Sequence, residues 1–288
     1  MPLDFRYHVA SLIAVFCALI LGVLVGIALI GDPAQLQQMA GQLRRDNQHT
    51  REYKEQELKT LQASQTELQD LVRQVLPTAL KDRLAGRRVT IVLDHPFPKD
   101  ELVDNINARL LQAGAVVSSV ITIRPAFMHL RPEVEEAIRA RLGISPAEGD
   151  LRVILARRLG PRLASGSPEL PDYLRSAGLI SVGRGADYRQ PSQVFLLLGG
   201  AAKPDEVAMD TFDIPFVEGL QEVGPRVVGA EARTAVVSLM PALKAKNVPT
   251  VDNVDTLSGR VALVLALAGA DGHYGEKETA DALLPSME

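Results

Sequence analysis

Asp252, Asn253 and Asp255 fall within Thr250-Val251-Asp252-Asn253-Val254-Asp255-Thr256, a run that puts carboxylate, amide and hydroxyl groups on one short segment. Carboxylate and amide oxygens at this spacing can ligate a cation or hold the hydroxyls of a ribose. The same residue types cap helices and shape turns, and that is the plainer account of Asp252, Asn253, Asp255 and Thr256. Met128-His129 and Asp94-His95 are the nearest approach to metal-ligand pairs. Neighbours on a strand face opposite ways, so such pairs rarely chelate together. Leu198-Gly199-Gly200-Ala201 can turn tightly beside a phosphate, although a Gly pair after a strand ordinarily just reverses the chain. There is no G-x-S-x-G, Walker or H-E-x-x-H pattern, and no two methionines stand at M-x-x-M spacing. No catalytic or cofactor-binding residue is therefore assigned, metal ligands stay unknown, and an enzyme is not expected.

Composition narrows the field further. The chain has 288 residues, 47% hydrophobic and 23% charged, which fits ordinary globular structure rather than disorder. A net charge of −4, 4% aromatics and no Trp argue against nucleic acid as a partner. A single cysteine, Cys17, excludes an internal disulfide framework and a multi-cysteine zinc site.

Four segments must position these residues. Val9 to Ile30 carries no charge and amounts to roughly 33 Å of helix, enough to span a hydrocarbon core. The run is longer than a signal-peptide core, and Ile30-Gly31-Asp32-Pro33 is a poor cleavage site, so residues 1–31 read as an uncleaved signal-anchor transmembrane helix. Arg6 on one side and Asp32 on the other place the N-terminus inside and the C-terminal domain in the extracytoplasmic cell envelope, although Arg44 and Arg45 blur the charge rule. Gly22 and Gly26 form a G-x-x-x-G pair through which two membrane helices can approach closely, unless they reflect only the frequency of Gly in such helices.

Residues 32–77 read as a coiled-coil stalk, opening with Asp32 as N-cap, Pro33 at N1 and Gln35 completing a capping box. Leu58, Leu61, Gln65, Leu68, Val72 and Val75 follow the three-and-four spacing of a seam, which predicts a homodimer. A single solvated helix against its own domain is the alternative, and it needs a wider apolar stripe than this one. Residues 86–275 alternate short β-rich runs with helices, the pattern of an α/β domain with a mostly parallel sheet. Strands are expected at Arg88–Asp94, Val116–Ile123, Leu179–Val182, Val194–Leu198 and Arg226–Ala230. Helices are expected at Glu101–Ala113, Pro132–Leu142, Leu151–Leu163 and from Leu257, the last apolar on nearly all sides. Residues 276–288 read as a loose tail.

The opening Asp4-Phe5-Arg6-Tyr7-His8-Val9-Ala10-Ser11-Leu12, the TVDNVDT run with Gly259-Arg260-Val261-Ala262-Leu263-Val264, and Gly272-His273-Tyr274-Gly275 resemble the actinobacterial copper transport protein family (MctB-like). The resemblance implies a single-pass envelope protein taking part in copper efflux, and copper enters on that ground alone. Some relatives are instead tied to cell separation, working with a membrane partner on control of peptidoglycan hydrolysis. The residues supply neither the alternating segments of a transmembrane barrel nor a set of soft copper ligands. The expected mode of action is therefore binding of an envelope partner.

Overall fold

The structure is a computed structural model that describes residues 5–29, 33–95, 101–183, 187–203 and 208–286. It divides into two units, Met1–Val72 and Arg73–Glu288. The first unit contains helix α1 (Phe5–Leu29) and most of α2 (Pro33–Leu80). Within α1, Val9–Gly26 is long and apolar enough to cross a membrane. A Cβ added at Gly22 or Gly26 meets nothing within 4 Å, so this face of α1 is open. Asp32 lies outside the described residues. With 48 residues, α2 is about 72 Å long at 1.5 Å per residue. Leu58 and Leu61 of the expected seam are exposed. The side chains of Leu68, Val72 and Val75 lie outside those described.

The second unit is built on a seven-stranded sheet in the order β3-β2-β1-β4-β5-β6-β7. Its strands are β1 (Arg88–Leu93), β2 (Val116–Ile123), β3 (Ile180–Val182), β4 (Val194–Gly199), β5 (Arg226–Glu231), β6 (Thr250–Val251) and β7 (His273–Tyr274). All pairings are parallel except that of β3, which runs antiparallel to β2 at one edge. The five strands expected from the sequence are present, and β6 and β7, at two residues each, are additions. A β-bulge makes Ser118 the extra residue of β2 and gathers Thr90, Ser118, Ser119 and Ser192 into one buried hydroxyl cluster.

Strand alternation sends side chains to two cores. Val92, Ile121, Phe195, Leu197 and Val227 face one side. That side is covered by α4 (Pro125–Met128), α5 (Pro132–Leu142), α6 (Leu151–Ser165), α7 (Glu169–Ser176), α8 (Ile214–Val223) and α9 (Met240–Ala245). Ile91, Leu93, Leu196, Leu198, Val228 and Val251 face the other, covered by α3 (Glu101–Gln112) and α10 (Leu257–Ala268). The β1–α3–β2 and β4–α8–β5 crossovers run in opposite directions on opposite faces, so they share one hand. The β6–α10–β7 connection continues in the direction of β4 to β6 but on the face of α3, which gives it the other hand. Parallel crossovers of two hands in one sheet are rare.

Helices α6 and α8 cross unusually closely. Pro161 inside α6 has no N–H to give to the Arg157 carbonyl, and Gly219 of α8 lies directly over that oxygen. Gly160 does the same from the other side, where a Cβ would come within 2.9 Å of Leu220 and 3.1 Å of the Phe216 carbonyl.

Candidate functional site

In an open α/β sheet, ligands bind beyond the carboxyl ends of the strands, where neighbouring strands lead off in opposite directions. Here that point lies between β1 and β4, because β1 leads to β2 on one side and β4 to β5 on the other. Asp94 follows β1 directly, Gly199 ends β4 and Gly200 comes next. A Cβ on Gly199 would stand 2.6 Å from Asp94 Oδ2, so only glycine lets the β4 backbone pass this carboxylate. Gly200, at φ +80°, turns the chain away beside Glu231 in the same manner. The Gly pair serves two buried acids, which is a different role from the phosphate turn weighed from the sequence.

Asp94 is 1% exposed, and its Oδ1 hydrogen-bonds His95 Nδ1 at 2.6 Å. The two residues meet because both lie past the strand end in a bend, where strand alternation no longer separates them. Burial raises the pKa of Asp94, and the His95 ring and the backbone amides of His95 and Gly200 offset part of that. Asp213 closes a π-helical turn, Met209–Asp213, that leads into α8, and it is fully buried. Its pKa is pushed well up, first by burial and then by the charge of Asp94. Both oxygens of Asp213 and Oδ2 of Asp94 have no hydrogen-bond partner among the described residues. Two enclosed carboxyls in mutual repulsion ionise together only with a cation beside them, and otherwise one keeps its proton.

Next along the same edge lies a clasp. Glu231, fully buried at the end of β5, accepts from Leu239 N at 2.9 Å, Ser238 Oγ at 2.7 Å and Lys277 Nζ at 2.5 Å. Asp252, just past β6, accepts the backbone N–H of Glu276 at 2.7 Å and of Lys277 at 3.0 Å. Any side chain at Gly275 would strike the Asp252 carboxylate. Lys277 also donates to the Ala235 carbonyl at 2.9 Å, and Lys244 pairs with Asp281 at 2.8 Å. Residues 276–282 are thus fastened across the ends of β5 and β6, which corrects the expectation of a loose tail for that stretch. The physical reason lies at a distance in sequence, in Glu231, whose charge Lys277 meets, and in Asp252, whose carboxylate accepts the Glu276 and Lys277 amides.

The TVDNVDT run is resolved residue by residue. Asp252 anchors the strap, and Asp255 Oδ1 accepts the Arg233 N–H at 2.7 Å. Thr256 is the N-cap of α10, its side chain accepting from Gly259 N at 3.0 Å. Asn253 is fully buried, with Nδ2 on Glu276 at 3.3 Å and Oδ1 without a partner among the described residues. Gly259 lets α10 start directly against the Asn253 backbone, where a Cβ would collide. The four residues are brought to the same sheet edge as Asp94 and Asp213. Met128 and His129 line a separate open hollow of about 430 Å³ with Glu135, Asp150 and Arg152. Its carboxylates are already matched, Asp150 to Arg152 at 2.6 Å and Glu135 to Arg139 at 2.8 Å. Sequence reasoning missed Asp213 and Glu231. The available signal was an acid set in an apolar run, Phe212-Asp213-Ile214-Pro215-Phe216, which is costly unless the acid is paired or neutral.

Comparison with known proteins adds a second line of observation. The profile of the family described as "Copper transport outer membrane protein, MctB" matches residues 3–285. The proteins named "Copper transporter MctB" from Mycobacterium bovis and Mycobacterium tuberculosis are 24% identical over 315 aligned residues, covering 95% of this chain and 96% of theirs.

Proposed function

Because the chain belongs to the MctB family of copper transport proteins, we propose that it acts in copper export at the cell envelope as a single-pass membrane protein. Its extracytoplasmic domain binds an envelope partner and does not itself form the conduit. The observation that carries the reading is the family match over residues 3–285. The sheet supports the binding role, since helices cover both of its faces and leave neither to line a channel.

Residues 1–31 anchor the chain, 32–77 form the stalk and 86–275 the binding domain. Two copies pair along Leu58, Leu61, Leu68, Val72 and Val75, and Gly22 and Gly26 let their membrane helices meet. Leu58 and Leu61, at 56% and 62% exposed in the single chain, support that pairing. The double variant Leu61→Glu with Leu68→Glu should halve the protein mass measured by light scattering in detergent. An unchanged mass would count against the stalk as the contact that holds the two copies together.

One observation favours a second reading, that of a scaffold regulating cell separation and peptidoglycan hydrolysis. A 48-residue helix is a spacer, which presentation at a distance needs and copper export does not. Cell-associated copper in a deletion strain, scored with cell-chain length in the same culture, separates the two. Copper accumulation with normal separation supports export. Normal copper with chained cells overturns it in favour of the scaffold.

A further inference from the structure

We propose that Asp94 and Asp213 hold a hard divalent cation, of the Mg²⁺ or Mn²⁺ class, at the crevice between β1 and β4. Asp94 Oδ2, Asp213 Oδ1 and Asp213 Oδ2 are all buried and unpartnered among the described residues, at a place where open α/β sheets bind ligands. A proton shared between the two carboxyls satisfies two of these oxygens and strands the third. A cation bound through both oxygens of Asp213 and one of Asp94 accounts for all three.

The surroundings of both carboxylates fit this role. His95 fixes Asp94 Oδ1 at 2.6 Å and leaves Oδ2 as the presented atom, the usual arrangement of a ligating carboxylate steadied by an outer hydrogen bond. Gly199 clears the space beside that oxygen. Asp213 stands at the N-cap of α8, where an aspartate ordinarily caps the helix. Its backbone is instead helical, at φ −62° and ψ −53°, and its side chain makes no capping bond. The π-helical turn before it carries this backbone into α8, and the carboxylate is left without a capping bond.

The donor set decides the class of ion. All three atoms are carboxylate oxygens, and among the described residues no group of three His, Cys, Asp or Glu side chains converges. Mg²⁺ is commonly held by one or two carboxylates with water completing its shell, whereas Cu(I) selects thiolate and thioether sulfur. The site is thus independent of the copper reading, and either can fail without the other.

The test uses the full chain in detergent micelles, stripped with EDTA and titrated with MnCl₂ while free Mn²⁺ is followed by electron paramagnetic resonance. The expected result is one Mn²⁺ per chain, displaced by Mg²⁺ and not by Cu(I), with at least tenfold weaker binding in Asp213→Asn. The exposed-site variant Glu222→Gln should bind as the parent does. Should Asp213→Asn fail to fold, the parent protein carries the test, because bound Mn²⁺ beside Asp94 must broaden the His95 imidazole resonances before those of the other histidines. No Mn²⁺ uptake by the parent, undiminished binding in a folded Asp213→Asn, or broadening centred on another histidine would each overturn the proposal. In the first case a shared proton is what the pair holds.

Discussion

Glu231→Ala should lower the stability of the α/β domain by about 3–5 kcal/mol, the usual penalty for removing one member of a buried ion pair. The carboxylate it deletes is fully enclosed and meets Lys277 Nζ at 2.5 Å, Ser238 Oγ at 2.7 Å and Leu239 N at 2.9 Å. Most of the loss comes from what remains, an ammonium and an amide N–H in a place built for an acceptor. Combining Glu231→Leu with Lys277→Met should therefore be milder than Glu231→Ala alone, because it leaves no uncompensated charge. Urea midpoints followed by circular dichroism check both. A Glu231→Ala loss below about 1 kcal/mol would mean that the pair is screened by solvent. The same variant should open the strap, which hydrogen exchange at the Glu276 and Lys277 amides reads directly.

Gly219→Ala should cost about 3 kcal/mol, at the upper end of the range for overpacked cores. The added methyl falls on the Arg157 carbonyl oxygen, a backbone atom with no rotamer through which to escape. Relief requires α6 and α8 to part, and that disturbs the Phe195–Phe216 edge contact at 6.3 Å and the Phe212–Phe216 stack at 5.2 Å. Gly143→Ala tests the interpretation. Gly143 sits at a positive φ of +64° with open space around it, so its cost should be that of a strained backbone alone, about 1 kcal/mol. A Gly219→Ala loss no larger than that of Gly143→Ala would show that the crossing is loose.

These two sites mark the limit of what the sequence discloses. The run Val194-Phe195-Leu196-Leu197-Leu198 is continuously apolar because both faces of β4 are covered, and β-branched residues mark the runs at Arg88, Val116 and Arg226, so these strands are visible without coordinates. Strands β6 and β7 are not visible, since two residues carry no period. Helices α7, α8 and α9 escape for a similar reason. They are short, and Pro171, Pro215 and Pro241 lie within them and read as breaks. In the site, residue type leaves Asp255 or Thr256 to cap α10, and the structure selects Thr256. The roles of Glu231 and Asp252 do not follow from residue type, because an acid after a strand normally faces water. Partners that complete their surroundings, Lys277 for Glu231 and the Glu276 and Lys277 amides for Asp252, lie 46, 24 and 25 residues further on.

That separation orders events during synthesis. Glu231 leaves the ribosome 46 residues before Lys277, an interval of roughly 2–9 s at ordinary elongation rates of about 5–20 residues per second. Until Lys277 arrives, the β5 end has no counter-ion, and its carboxylate is best left in water or shielded by a chaperone. Nascent chains halted before residue 277 should therefore carry a nearly complete sheet with one open corner. Such a species is one that cellular proteases can distinguish from the finished domain.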